Sequence, residues 1–318
     1  MNQLNPKPSS PIRWPAEAIW EAVAPVLPGF TVEVLPTIDS SNTELMRRFR
    51  GSPAIAPQLD ATLLVAEQQS AGRGRLGRSW QSQRGDSLTF SLGLPLQPVD
   101  WSGLSLVVGI SLAESLDPGN NLGLGLKWPN DLWLRDAENT PNSATNSARK
   151  GESKLAGILV ETASLEGLRH VVIGIGINIR AVALAAAAAA ASPSASNLPG
   201  VMPPGCLQDL YPDADAASTL LRIVPPLVQA IQAFEKFGFA PFQARFAQRD
   251  VLSGRAVRVL EAGNTLEGTA HGVSESGALL VHTATGMKEI TSSEVSVRPV
   301  ADSAAGHLVS YPGSSGPC

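Results

Sequence analysis

Short apolar runs recur along the first 180 residues and limit the possible folds more than any other feature of the chain. Runs with the composition of β-strands cover residues 30–35, 62–66, 87–94, 123–127, 155–161 and 170–179. Helical spacing of apolar residues is confined to 16–27, a segment that begins at Ser41, and 101–115. This mixture excludes all-α and all-β folds, and it predicts an α+β class with a mixed sheet backed by helices.

The rest of the chain changes character twice. Residues 213–248 carry a helical apolar stripe, in which Pro225 and Pro226 predict a break. After residue 251, short apolar runs alternate closely with Gly, Asn and Ser, which predicts a small antiparallel β-barrel. We therefore expect an N-terminal extension (1–29), a main domain (30–250), a barrel domain (251–300) and a disordered tail (301–318).

Two segments interrupt the main domain. Residues 136–153 are almost entirely small and polar, and residues 181–205 are rich in Ala, Ser and Pro. Neither has the bulky apolar side chains that would dock it on a core. Both are predicted to be surface insertions.

Charge and cysteine content exclude several classes of function. Lys and Arg number 24 and Asp and Glu 28, and this net charge of −4 argues against general attraction to nucleic acid or membranes. Cys206 and Cys318 cannot form a disulfide framework, and the four histidines lack metal-ligand spacing, so no metal site is predicted. Because no segment resembles a signal peptide or a membrane span, we expect a cytoplasmic protein.

The most concentrated chemical signal is the arginine- and glycine-rich segment 72–78. Gly72, Gly74 and Gly77 match the G-x-G-x-x-G pattern, but no helix begins after them, which argues against a dinucleotide-binding fold. Three guanidinium groups on a glycine-flexible loop suit phosphate oxygens, and they belong to Arg73, Arg75 and Arg78. The segment is predicted to close over a bound anion. The alternatives are an exposed basic turn and an RNA-binding segment.

A second candidate region is the start of the helix near residue 41. Ser41 with Glu44 three residues later matches a capping box. A helix start also presents free N–H groups beside small polar side chains, which suits a small polar ligand.

The strands contribute three further motifs. Lys127, Asn130 and Asp131 follow one strand, where they could also form an ordinary turn at Pro129. Lys154 enters an apolar strand, where a solvent-facing charge is the alternative interpretation. Glycines at positions 174 and 176 share one face of a strand and predict a flat surface under a ligand.

Together and in this order, the motifs resemble those of the biotin protein ligases. The matching elements are Ser40-Ser41-Asn42, Gln69-x-x-Gly72-Arg-Gly-Arg-Leu-Gly-Arg78-x-Trp80, Lys127-Trp-Pro-Asn-Asp131, Lys154-x-x-Gly157-Ile-Leu and Gly174-Ile-Gly-Ile-Asn178. The resemblance extends from about residue 30 to 298. It departs mildly at Ser41, where the family usually has Thr. It also favours the monofunctional type, because about 30 residues before the first shared strand cannot hold the N-terminal DNA-binding module of some members.

The resemblance implies a fold, an activity and partners. The main domain would be a class II synthetase-like catalytic domain of the biotin/lipoate ligase type, followed by an SH3-like barrel. With Mg²⁺, ATP and biotin would form biotinyl-5′-AMP, and biotin would then pass to a specific lysine of the biotin carboxyl carrier protein of acetyl-CoA carboxylase. No DNA or membrane partner is expected. A homodimer could form through a strand edge near 174–179.

The resemblance also implies roles for individual residues. Lys154 and Arg73 would be catalytic, and Asp131 would either deprotonate the acceptor lysine or hold Lys127. Biotin would contact Ser40, Ser41, Asn42, Gln69, Gly72, Arg73, Gly74, Arg75, Lys154, Gly157, Gly174 and Gly176, with Ile158 and Ile175 completing an apolar floor. ATP and the adenylate would contact Arg75, Arg78, Trp80, Lys127, Asn130, Asp131, Lys154, Asn178 and Arg298.

Two other functions stay open from the sequence. A lipoate or octanoate ligase would activate a different carboxylate by the same chemistry. A non-catalytic module that binds biotin or RNA would use the arginine-glycine segment for contact alone.

Overall fold

A seven-stranded mixed sheet forms the body of the main domain in the computed structural model, which describes residues 11–51, 60–136, 151–165, 168–181, 204–261, 264–291 and 295–299. Its strands are β1 (Thr31–Leu35), β2 (Thr62–Ala66), β3 (Ser87–Pro95), β4 (Leu124–Lys127), β5 (Asp131–Leu134), β6 (Ser153–Leu165) and β7 (Leu168–Asn178). Their order is β1-β2-β3-β7-β6-β5-β4, and β1 pairs with β2 in parallel while the other pairs are antiparallel. This arrangement confirms the predicted α+β class.

Helices cover both faces of this sheet. The described helices are α1 (Ala16–Val23), α2 (Ser41–Arg50), α3 (Leu104–Leu116), α4 (Ala216–Phe237) and α5 (Gln243–Ala247). Apolar side chains of α1, α3 and α4 share the main core with Leu63 and Val65 of β2, whereas α2 packs with Leu64 in a smaller cluster. Since successive side chains of a strand point to opposite faces, α2 lies on the face opposite to α1, α3 and α4.

The prolines of α4 do not break it. The helix runs through Pro225 and Pro226, so the predicted interruption is wrong. Residues on either side of the prolines, such as Val224 and Leu227, are fully buried. We attribute the continuity to this packing, which offsets the roughly 3 kcal/mol that an interior proline costs a helix. The helix ends at Phe237, and the next residue, Gly238, has a φ of 68° that glycine readily adopts.

The C-terminal strands form a second, smaller sheet. Its members are β8 (Ala256–Glu261), β9 (Asn264–Val273), β10 (Leu279–Thr283), β11 (Gly286–Ile290) and β12 (Val295–Pro299). They pair antiparallel in the order β11-β10-β9-β8-β12. The small antiparallel barrel predicted after residue 251 is confirmed as an antiparallel sheet of five strands, and the described strand pairs do not close it into a barrel.

The second sheet is fastened directly to the main domain. The indole Nε1 of buried Trp128 donates to the Gly277 carbonyl at 3.0 Å. Gly103 and Gly277 both have φ of 83°, and a Cβ on Gly277 would lie 2.9 Å from Gly103 Cα. This backbone contact requires glycine at the junction.

The structure overturns one predicted strand edge, and several other predictions fall outside the described residues. Strand β7 is paired with β3 and β6 over most of its length, so the edge predicted near 174–179 does not exist. Most of the two insertions (137–150 and 182–203) and the tail 301–318 lie outside the described residues. The domain limits and the cytoplasmic location stay predictions. Within the described ranges, no helix is both long and apolar enough to cross a bilayer.

Candidate active site

A cleft that is open to solvent lies on the α2 face of the main sheet. Its walls are the start of α2, the segment 73–80 and the turn between β4 and β5. Predicted site residues in its lining are Ser40, Ser41, Asn42, Gln69, Arg73, Gly74, Arg75, Arg78, Trp80, Lys127, Asn130, Asp131, Lys154, Gly157, Ile158, Gly174, Ile175 and Gly176. The cleft thus brings together residues that are up to 136 positions apart in the sequence.

At one end of the cleft, uncharged side chains form a network of hydrogen bonds. We call it the polar end (Ser40, Ser41, Asn42, Gln69 and Ser91). Gln69 Oε1 accepts from the Ser41 backbone N–H at 2.7 Å and from Ser41 Oγ at 3.1 Å. Ser91 Oγ lies 2.7 Å from Ser41 Oγ and 2.6 Å from Asn42 Oδ1. Ser41 and Asn42 at the start of α2 and Ser91 on β3 are buried, and their side chains and that of Gln69 hold one another in place.

The predicted capping box is wrong in detail. Ser40, with an extended φ of −159°, is the N-cap of α2, and its side chain accepts from the Thr43 backbone N–H at 3.4 Å. Glu44 instead receives hydrogen bonds from Arg47 and from Arg48. Ser41 is therefore the first helical residue, and its backbone N–H and hydroxyl are engaged by Gln69.

Glu161, on β6, extends the polar end and was missed by the sequence reasoning. Its Oε2 accepts from Asn42 Nδ2 at 3.0 Å, and its Oε1 accepts from Arg73 Nη2 at 3.0 Å. Arg73 Nη1 also reaches Thr43 Oγ1 at 3.4 Å. The sequence offered one signal for Glu161, because it is a charged residue at the end of an otherwise apolar strand segment.

The arginine-glycine segment folds back on itself as a short hairpin. The Trp80 backbone N–H donates to Gly72 O at 2.8 Å, and that of Gly74 donates to Arg78 O at 2.7 Å. A Cβ on Gly72 would lie 2.4 Å from Trp80 O, so this glycine closes the hairpin and does not line the cleft. The tip turns at Leu76, which has φ of 55° and is exposed.

Glycines on the sheet make room for protein side chains. A Cβ on Gly174 would lie 2.1 Å from Asn42 Oδ1, and one on Gly176 would lie 2.4 Å from the Trp80 ring. The predicted open glycine surface is therefore covered at these two positions. The side chain of Ile175 points to the opposite face, where it belongs to the main core together with Ile158.

The other end of the cleft carries most of its charge, and we call it the cationic end (Arg75, Arg78, Lys127, Asp131 and Lys154). Lys154 Nζ lies 2.7 Å from Asp131 Oδ1 and 5.8 Å from the centroid of the Trp80 ring. Asp131 therefore pairs with Lys154, an ion pair that neither sequence interpretation of Asp131 proposed, while Lys127 lies opposite Asp131 on β4. Among the described lining residues, the four cationic side chains of this end face one carboxylate, that of Asp131.

A strand irregularity aims Lys154 into this end. On β6, Ala156 pairs with Leu132 and Lys154 pairs with Trp133, so one extra residue is inserted in β6. Residues 154 and 157 would otherwise point to opposite faces of the strand. The bulge places Lys154 and Gly157 on the same lining, and the solvent-facing alternative for Lys154 is wrong.

Crowding of positive charge perturbs this end further. Burial lowers the pKa of Lys127 to about 8, and Lys154, Arg78 and Arg75 add to the effect, while Asp131 opposes it. Burial also lowers the pKa of Arg75, which Asp131 partly restores. Such a site favours a ligand that brings negative charge.

Asn130 and Asn178 act on backbone groups. Asn130 Nδ2 donates to Ile158 O at 2.8 Å and ties the β4–β5 turn to β6. Asn178 Nδ2 donates to the carbonyls of Lys154, at 3.3 Å, and Gly205, at 3.0 Å, and it does not line the cleft.

Arg298 lies on β12, and its side chain is outside the described part of the structure. The described residues include no group of three or more His, Cys, Asp or Glu that could hold a metal.

Comparison with known proteins supports the resemblance to the biotin protein ligases over most of the chain. Residues 35–178 match the biotin/lipoate A/B protein ligase family, and residues 252–298 match the biotin protein ligase C-terminal domain. The bifunctional ligase/repressor BirA of Escherichia coli K12 is 33% identical over 275 residues, which cover 86% of this chain and 75% of that protein. The biotin–[acetyl-CoA-carboxylase] ligase of Paracoccus denitrificans is 29% identical, covering 82% of this chain and 98% of its own length.

Solved structures agree with these relatives. The biotin protein ligase of Aquifex aeolicus, in complex with biotin and ATP, matches with a TM-score of 0.63 and 26% identity, over 85% of this chain and 99% of that one. The two family matches, the identity to curated relatives and this fold similarity lead to one conclusion: the chain belongs to the biotin/lipoate A/B protein ligase family, as a biotin protein ligase.

Proposed function

We propose that the protein joins biotin to a lysine of a biotin carboxyl carrier protein in two steps. In the first step, a carboxylate oxygen of biotin attacks the α-phosphorus of MgATP, the bond to the bridging oxygen of the β-phosphate breaks, and pyrophosphate leaves. In the second step, the amine of the acceptor lysine attacks the acyl carbon of biotinyl-5′-AMP. The acyl–oxygen bond breaks, AMP leaves, and the nitrogen loses a proton. By analogy with the named relatives, the acceptor belongs to acetyl-CoA carboxylase.

The observation that carries this proposal is the division of one cleft into a neutral and a cationic end. Biotin has the same division, since its ureido ring is uncharged and its carboxylate is joined to a triphosphate during activation. Prearranged hydrogen bonds suit the ring, and cations suit the charge that develops at the α-phosphorus. The work of the protein is then to position the two reactants and offset their repulsion.

Individual roles follow from this placement. Ser41, Asn42 and Gln69 would bind the ureido ring at the polar end. Lys154, held by Asp131, would bridge the biotin carboxylate and the α-phosphate. The hairpin 72–80 would close over the adenylate, with Arg75 and Arg78 near the phosphates and Trp80 beside the nucleotide.

Magnesium enters this scheme as part of the nucleotide substrate. The only described carboxylate that lines the cleft, Asp131, is paired with Lys154. Oxygen ligands for Mg²⁺ would therefore come mainly from the phosphates and water, as is usual for nucleotide-bound magnesium. The nucleotide contact of Arg298 and the homodimer stay predictions.

Pyrophosphate exchange tests the first step directly. With the full chain, MgATP and labelled pyrophosphate, we expect label to enter ATP when biotin is present. Lipoate and octanoate, tried separately, address the other substrate class of the family. Exchange with lipoate or octanoate but not biotin would reassign the substrate. No exchange with any of the three acids, by a protein that remains folded, would overturn the proposal.

Transfer is measured separately, by incubating the enzyme, biotin and MgATP with a biotin carboxyl carrier domain. We expect one added biotin on the intact acceptor by mass spectrometry. A matched acceptor, whose target lysine is replaced by arginine, should stay unmodified.

A further inference from the structure

Glu161 connects two residues on different parts of the cleft wall, and neither the sequence motifs nor the proposed chemistry uses it. Asn42 Nδ2 is 3.0 Å from one carboxylate oxygen, and Arg73 Nη2 is 3.0 Å from the other. One of these partners is on α2 and the other begins the hairpin 72–80. The carboxylate therefore joins the helix start, the sheet and the hairpin.

The contact to Asn42 fixes the orientation of its amide group. Asn42 Oδ1 accepts from Ser91 Oγ at 2.6 Å, while Nδ2 donates to Glu161 and, at 3.3 Å, to the Leu159 carbonyl. An amide that rotated by half a turn would point its N–H groups at Ser91 and its oxygen at a carboxylate. Because this second arrangement places two acceptors together, Glu161 selects the first one.

The contact to Arg73 acts on the hairpin. The guanidinium lies between Glu161 and Thr43, so the first arginine of the segment is held at the start of α2. The ion pair also offsets the charge of Arg73 beside the neutral polar end. Excess positive charge is then concentrated at the cationic end.

We propose that Glu161 is a positioning residue that couples recognition of the biotin head group to closure of the hairpin. This inference rests on the proposed function. Glu161 does not line the cleft among the described residues, and it acts through Asn42 and Arg73. Its loss should weaken biotin binding and release the adenylate sooner, with little effect on the KM for MgATP.

Two substitutions separate the two contacts. In Glu161→Gln, the amide oxygen can still accept from Asn42, but the charge that holds Arg73 is lost. In Glu161→Ala, both contacts are lost. We expect the Kd for biotin, measured by calorimetry, to rise about threefold in Glu161→Gln and about tenfold in Glu161→Ala.

The chain offers a close control in Glu44. This carboxylate also pairs with arginines, its side chain is 22% exposed as is that of Glu161, and it lies on α2 away from the cleft lining. Glu44→Gln should leave the Kd for biotin and the lifetime of enzyme-bound adenylate unchanged. Thermal unfolding of all variants would show whether a loss of fold contributes.

A double mutant tests whether Glu161 acts through Arg73. In the double mutant that combines Glu161→Gln and Arg73→Gln, the lifetime of bound adenylate should be as short as in Arg73→Gln alone. The inference is overturned if Glu161→Gln and Glu161→Ala match Glu44→Gln in biotin affinity and adenylate lifetime while the unsubstituted protein catalyses biotin-dependent exchange. Absence of that exchange in the unsubstituted protein would instead overturn the proposed function.

Discussion

The two ends of the cleft satisfy their polar groups in opposite ways. At the polar end, the side chains of Ser41, Asn42, Gln69 and Ser91 bond to one another, and the charge of Arg73 is offset by Glu161. At the cationic end, Asp131 is the one carboxylate that the described lining sets against Arg75, Arg78, Lys127 and Lys154. The first end is shaped before a ligand arrives, whereas the second has a charge excess that a ligand must balance. Substitutions at the two ends should therefore affect different substrates.

The largest effect is expected at Lys154. Replacing it by alanine would remove the charge that the proposed mechanism directs at the biotin carboxylate and the α-phosphate, and it would leave Asp131 without its ion pair. A charge-assisted contact of roughly 2–4 kcal/mol corresponds to a loss of about 30- to 1000-fold in the rate of biotin-dependent pyrophosphate exchange. Thermal unfolding should show little loss of fold. Full activity in Lys154→Ala would refute its role.

The sheet glycines offer a sharper comparison, because each supports a different end. Gly174→Ala would push against Asn42, and Gly176→Ala against Trp80. We expect each to cost about tenfold in kcat/KM, because overpacking a close contact typically costs 1–3 kcal/mol. Gly174→Ala should act mainly on the KM for biotin, and Gly176→Ala on the KM for MgATP. Equal effects on both substrates would contradict the division of the cleft.

The hairpin arginines extend this test with smaller changes. Arg73→Ala should raise the KM for biotin severalfold and shorten the lifetime of bound adenylate, because Arg73 is tethered at the polar end. Arg75→Ala should raise the KM for MgATP by a similar factor. Released adenylate would label bystander proteins with biotin, and this labelling can be measured by blotting. Tight retention of the adenylate in Arg73→Ala would count against the proposed closure.

The smallest effect is a pH dependence set by Lys127. Because its pKa is about 8, the cationic end loses one charge as the pH rises through 8, and the KM for MgATP should rise about threefold between pH 7 and 9. Lys127→Arg, which stays charged, should flatten this dependence, and the exposed Lys288→Arg should not. Folding stability should change in the opposite direction to nucleotide binding. Since the unfolded chain binds more protons between pH 8 and 10.5, the penalty for burying charged Lys127 is relieved and the free energy of unfolding should increase as the pH rises through that window.

Sequence patterns predicted the elements more readily than the contacts between them. The limits of β2 were predicted residue for residue, because a buried strand reads as a continuous apolar run. Strand β5 was missed, since its four residues include Asp131 and follow a turn motif. The continuity of α4 through two prolines depends on burial against other elements, which local sequence does not report.

The candidate site shows the same contrast. Order and spacing of the motifs identified most of the cleft lining. Asp131 as the partner of Lys154 was not predicted, because a bulge in β6 sets the direction of the lysine. Glu161 and Ser91 were missed because each lies in a largely apolar strand. Both form hydrogen bonds with Asn42 of α2, which is far from them in the sequence.

The hydrogen bond between Trp128 and Gly277 has a consequence for how the chain can be divided. Trp128 directly follows Lys127, and its buried indole N–H is satisfied by the second sheet. A fragment that stopped at residue 250 would leave this donor without its acceptor, immediately beside Lys127, which lines the cleft. The second sheet is thus a structural support of the main domain at a position directly beside the cleft.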